Sequence, residues 1–76
     1  MRVHLGGHLN WYDAQRRMDV EVPLAERVLL LDLLRQLGVP RAEIIVAAVN
    51  GHAVVIDEAW VADDDHVDLY PPVGGG

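Results

Sequence analysis

The sequence predicts a small α+β roll, in which one helix covers one face of a mixed sheet of four to five strands. Three observations carry this expectation. Apolar residues alternate with polar ones near both ends of the chain, Leu30, Leu33, Leu34 and Leu37 repeat at helical spacing, and Asn50-Gly51 separates two short β-branched runs.

Val3 and Leu5 alternate with Arg2 and His4, the period-two pattern of a half-buried strand, and Gly6-Gly7 marks a bulge or the strand's end. Met18 to Val22 alternates in the same way before Pro23 stops the ladder, which predicts an antiparallel hairpin with the first strand. The leucine stripe is one face of a helix, with Asp32, Arg35 and Gln36 off it. Gly38 and Pro40 stop that helix, and Glu26 is expected to complement its N-terminal dipole, since the chain has no Ser or Thr to cap it. Ile44 to Val49 is continuous, short and β-branched, so it reads as an interior strand covered on both faces. Both central residues of a type I′ turn need positive φ, which makes Asn50-Gly51 a hairpin signal, and Val54-Val55-Ile56 is the returning strand. Asp57 to Asp65 reads as irregular, with Trp60-Val61 as an apolar plug and Trp60 as core filler. His66 to Tyr70 alternates again, with Val67 and Leu69 inward, until Pro71-Pro72 ends it. The expected organisation is one domain over residues 1–72 and a flexible tail over 73–76.

Composition excludes more than it specifies. The 76 residues contain no Ser, Thr, Cys or Lys, so hydroxyl, thiol and Schiff-base nucleophiles are all missing. A self-sufficient enzyme is not expected from His, carboxylates, Tyr and the chain termini. The net charge of −6 argues against a nucleic-acid partner, which needs a clustered basic face. No apolar run approaches the ~20 residues of a membrane span, no signal-peptide core opens the chain, and a cytoplasmic protein is expected. His4, His8, His52 and His66 lack metal-ligand spacing, and Asp63-Asp64-Asp65 lacks the alternation of a calcium loop, so no metal site is expected.

Three stretches together resemble the MoaD/ThiS family of ubiquitin-like, β-grasp sulfur carriers. Leu33 to Val39 is similar to that family's helix and glycine stop, Ile45 to Gly51 to its central strand and turn, and His66 to Gly76 to its last strand and diglycine tail. Pro71-Pro72 before Val73 is closer to the molybdopterin-synthase small subunit, while the triple glycine also resembles the thiazole-synthesis carrier. The resemblance implies Val54 and Tyr70 as partner-binding positions, with Pro71 and Pro72. Gly6 falls where the molybdopterin branch places a large apolar residue, and Asp63-Asp64-Asp65 stands where the family has Asp-Gly-Asp.

The tail suits such a role on its own chemistry. Prolines hold the exit extended, at ~3.3–3.6 Å per residue the last positions reach on the order of 15 Å, and Gly74, Gly75 and Gly76 can thread a channel too narrow for side chains. The working group is the α-carboxylate of Gly76, ionised at neutral pH with an ordinary pKa of about 3.3–3.7. The resemblance implies that a separate adenylating enzyme, using ATP and Mg²⁺, activates this carboxylate. A sulfur donor such as a cysteine desulfurase system then converts it to a thiocarboxylate, and a synthase accepts the sulfur. The chain itself binds no cofactor. Molybdopterin synthesis leads among the destinations, with thiazole, cysteine, thio-tRNA or thio-metabolite synthesis as alternatives. The rival reading is a protein modifier conjugated through Gly76.

Overall fold

The computed structural model of the chain describes residues 1–72, and the tail expected over 73–76 lies outside the described residues. Alternation at the N-terminus forms β1 (Arg2–Leu5), with Val3 and Leu5 buried and Arg2 and His4 turned outward. A 3-10 turn at Leu9–Tyr12 drops Leu9 into the core, and the chain returns as β2 (Asp19–Glu21), antiparallel to β1 with Val3 opposite Val20. The expected hairpin is therefore present.

One carboxylate gathers much of its loop, alongside the Asn10 amide on Arg16 O and the Arg16 guanidinium on Trp11 O. Asp13 accepts hydrogen bonds from the backbone N–H groups of Gln15 and Arg17, and it pairs with the Arg17 guanidinium at 3.0 Å. The Arg17 side-chain hydrogen bond, followed by that residue's backbone N–H, holds the Asp13 carboxyl well below the usual carboxylate range.

A two-residue strand, β3 (Val28–Leu29), leads directly into α1 (Leu30–Leu37). Leu30, Leu33 and Leu34 are fully buried, and Gly38 closes the helix in the left-handed region at φ 75°. Glu26 is not in the helix: its first turn carries Asp32 instead, because Val28 and Leu29 are drawn into pairing with Val61 and Trp60. With no side-chain cap, Leu30 N–H donates to Ala59 O at 2.9 Å, so a backbone carbonyl just ahead of Trp60 does the work a Ser or Thr would do.

β4 (Val46–Val49) and β5 (His52–Val54) follow, joined at Asn50-Gly51 with φ of 53° and 82°, as the type I′ signal requires. Asn50 also spans to the last strand: its Oδ1 accepts from His66 N–H and its Nδ2 donates to Asp65. Ile56 belongs to a short 3-10 turn rather than to the returning strand. Trp60 and Val61 form β6, paired with β3, where irregular chain was expected. Val61 is fully buried, whereas Trp60 is half exposed with the Arg27 guanidinium 4.7 Å over its ring. Trp60 is not core filler, because alternation along a two-residue strand sends only one of the pair inward.

β7 (His66–Tyr70) completes a five-stranded sheet of order β2-β1-β7-β4-β5, with β1 and β7 parallel and the other pairings antiparallel. One helix packed on this mixed sheet is a β-grasp fold, as expected. Val67 and Leu69 are inward and fully buried. No helix among the described residues is long and apolar enough to cross a membrane.

Two stability predictions follow from these contacts. Leu33→Ala should cost about 2–5 kcal/mol, read as a lower urea midpoint at unchanged slope. Asp13→Asn should lower the melting temperature at pH 7. A depressed carboxyl contributes stability above its unfolded pKa and loses it as pH falls through its folded value. The gap to wild type should thus stay constant above about pH 4 and close below it, as pH-dependent melting curves would reveal.

Candidate functional site

The sheet has one covered face and one open face. Along the open face stand Asp19 and Glu21 of β2, Arg2 and His4 of β1, His66, Asp68 and Tyr70 of β7, Val46 and Ala48 of β4, and Ala53 of β5. These residues sort by position. The β2–β1 side and the start of β7 are polar, with His4 Nδ1 3.1 Å from Asp19 and His66 Nε2 3.2 Å from Asp68. The end of β7 and its β4 and β5 neighbours are apolar.

Tyr70 stands opposite Val46 on that apolar part, 43% and 44% exposed. Ile45, which precedes β4, is 64% exposed and donates its N–H to Tyr70 O at 2.9 Å. Val55, two residues past Ala53 on an extended backbone, continues the apolar strip at 61% exposure. Ile44 to Val49 is thus not covered on both faces: Ala47 faces the helix side and is buried, whereas Val46 lies open.

Between Tyr70-Pro71-Pro72 and the Ile45-Val46 segment runs an open groove of about 920 Å³, closed at its side by Gly7-His8 and Ala42-Glu43. Its lining is mainly apolar. The polar point is His8 Nε2, 3.3 Å from Glu43 Oε1, while Glu43 Oε2 is buried without a hydrogen-bond partner among the described residues. Pro72, the last described residue, is part of its lining, so the groove lies beside the point where the described chain ends.

The residues singled out in the sequence separate here. Tyr70, Pro71 and Pro72 lie together along the groove. Val54 does not join them: it stands opposite Ala47 and packs toward the core, lining a separate depression with Trp60. Gly74, Gly75 and Gly76 lie outside the described residues. Asp63 and Asp65 have structural partners. Asp63 accepts from Leu24 N–H at 2.9 Å and from the Met1 amine, which holds its carboxyl below the ordinary value, and Asp65 accepts from Ala62 N–H and Asn50.

A family model described as the ThiS family matches residues 10–76. The chain belongs to the ThiS family. Among solved structures, it is similar to the crystal structure of the thiamine biosynthesis protein ThiS from Geobacter metallireducens. The two share 26% identity with 100% of each chain covered, at a TM-score of 0.60. No curated protein matches the chain. ThiS-family membership supports a sulfur-carrier protein that is not itself a catalyst, and it favours no molybdopterin assignment over a thiamine one.

Sequence reasoning missed Ile45, Val46 and Val55 as surface residues, and His8 and Glu43 as groove residues. Only the first group left a signal, an apolar run longer than one helix can cover. The two valines test which face is which. Val54→Asp should destabilise the fold by about 1–3 kcal/mol, while Val46→Asp should change stability by less than about 1 kcal/mol, both by urea denaturation.

Proposed function

We propose that this ThiS-family protein carries sulfur on the C-terminal carboxylate of Gly76. The observation that carries the reading is the family match over a β-grasp domain whose last strand runs out into Pro71-Pro72, beside an apolar groove. Docking of an adenylating enzyme on Tyr70, Val46 and Ile45 supplies affinity. That affinity offsets the ordering of a glycine tail, roughly 1–2 kcal/mol per residue.

The chemistry needs no acid or base from this chain. One oxygen of the Gly76 carboxylate attacks the α-phosphorus of ATP, pyrophosphate leaves, and the partner's Mg²⁺ balances the phosphate charge. A sulfur nucleophile at the sulfide level then attacks the acyl carbon, and AMP leaves with the former carboxylate oxygen. The product is a thiocarboxylate, poised to give its sulfur to a synthase in the cytosol. The destination we favour is thiamine synthesis, since the family model is that of ThiS and the similar structure is a thiamine biosynthesis protein. The molybdopterin destination remains a second reading on the strength of Tyr70-Pro71-Pro72 alone.

Incubation with the organism's adenylating enzyme, ATP and a sulfide source should raise the intact mass by one oxygen-to-sulfur exchange. Deleting Gly75 and Gly76, which leaves no diglycine end, should abolish the gain. No gain with any adenylating enzyme of that organism would sink the carrier reading, and Gly76-dependent adducts of higher mass in cell extract would favour a protein modifier instead.

A further inference from the structure

We infer that Gly6 and Gly7 are positioning residues, a seat for Tyr70 and Pro71 that sets the direction in which the chain leaves the domain. The use of this seat rests on the carrier reading above; its existence rests on geometry alone. Beyond the last paired residues of β1 and β7, Gly6 N–H still donates to Leu69 O at 2.8 Å, so the two backbones run side by side into the exit.

No side chain fits on the β1 side of that exit. A Cβ on Gly6 would stand 2.6 Å from Tyr70 Cδ1 and 2.8 Å from Leu69 O, and one on Gly7 would stand 2.6 Å from Pro71 Cγ. Non-bonded carbons settle at about 3.5–4.0 Å, so each ring occupies the space a side chain would need. Tyr70 lies against Gly6 and Pro71 against Gly7. The opposite flank is closed by the hydrogen bond from Ile45 N–H to Tyr70 O, and the His4 ring leans on Tyr70 with centroids 6.0 Å apart.

Tyr70 is therefore held on both sides. Pro71 has φ locked by its own ring and no N–H to pair, so its contact with Gly7 is what places it. Gly7 adopts φ 54°, in the left-handed region, which turns the first strand aside beneath the proline. A short tail that always starts in one direction searches less space for a partner's channel, and small misplacements of a reacting group are costly in rate.

Gly51→Ala is the control. It carries the same kind of left-handed strain at φ 82°, yet nothing lies within 4 Å of its added Cβ. One-bond Cα–Hα residual dipolar couplings of Tyr70, Pro71 and Pro72, measured on the full chain, read the exit direction. Gly7→Ala should change these couplings while those of β1 to β5 hold, and Gly51→Ala should leave them alone. ATP–pyrophosphate exchange with the organism's adenylating enzyme should show kcat reduced about tenfold or more for Gly7→Ala, a larger change than any in KM. Unchanged couplings in Gly7→Ala, or changed couplings with wild-type kcat, would overturn the assignment. Changed couplings when even the wild-type chain supports no exchange would support the seat and remove the carrier reading instead.

Discussion

β1 and β7 lie parallel at the middle of the sheet, with Val3 opposite Val67 and Leu5 opposite Leu69, and the remaining structure depends on that pairing. All four side chains are essentially inaccessible to water, so this is where the sheet contributes most to the core. The two strands come from opposite ends of the chain. Neither can bury its apolar side until the whole intervening sequence has been folded back, an entropy cost that grows only slowly with loop length. The same pairing decides where the chain leaves the domain. β7 is a central strand, with β1 on one side and β4 on the other, so its C-terminus emerges between two neighbours rather than from a free edge. A tail rooted there starts from a fixed point.

The open face then divides by chemistry. Its His–carboxylate pairs are exposed or half-exposed, and such pairs contribute little to stability. They keep the β2–β1 side hydrated. Apolar residues gather where the described chain ends: Tyr70 and Val46 on paired strands, with Ile45, Pro71 and Pro72 along the same groove. On the proposed carrier reading, a reactive group at the end of the glycine tail has little binding energy of its own. Affinity has to come from the globular part, and it is most useful when it comes from the surface nearest the tail's root.

The parts of the fold written in local chemistry were legible. Leu30, Leu33, Leu34 and Leu37 give a helix period, Gly38 gives its left-handed stop, Asn50-Gly51 gives a turn with two positive φ values, and Val67 and Leu69 give an inward face. What was not legible depends on partners distant in sequence. β3 and β6 are two residues each, too short to show a period, and exist because Val28 meets Val61 and Leu29 meets Trp60. Glu26 lost its expected role for the same reason, since that pairing sets where the helix begins. Val54 was singled out by analogy of position, but which way it points is fixed by its register opposite Ala47. Of the candidate site, Tyr70, Pro71 and Pro72 were readable; His8, Glu43 and the Gly6-Gly7 seat required the fold.

The error over Ile44 to Val49 had a cause visible in the sequence itself. A continuous β-branched run reads as a strand covered on both faces, yet a chain of this length with one amphipathic helix has cover for only one face of its sheet. Both statements cannot hold for an isolated domain. Something must cover the second face or it must lie open, and here Ile45 and Val46 lie open along the groove with Pro71 and Pro72, while Val55 is exposed farther off, at the depression it shares with Trp60. An apolar run in excess of what the chain can bury is therefore evidence about partners rather than about the core. In a small one-helix domain, the strand that looks too hydrophobic for its cover is the place to look for the docking face.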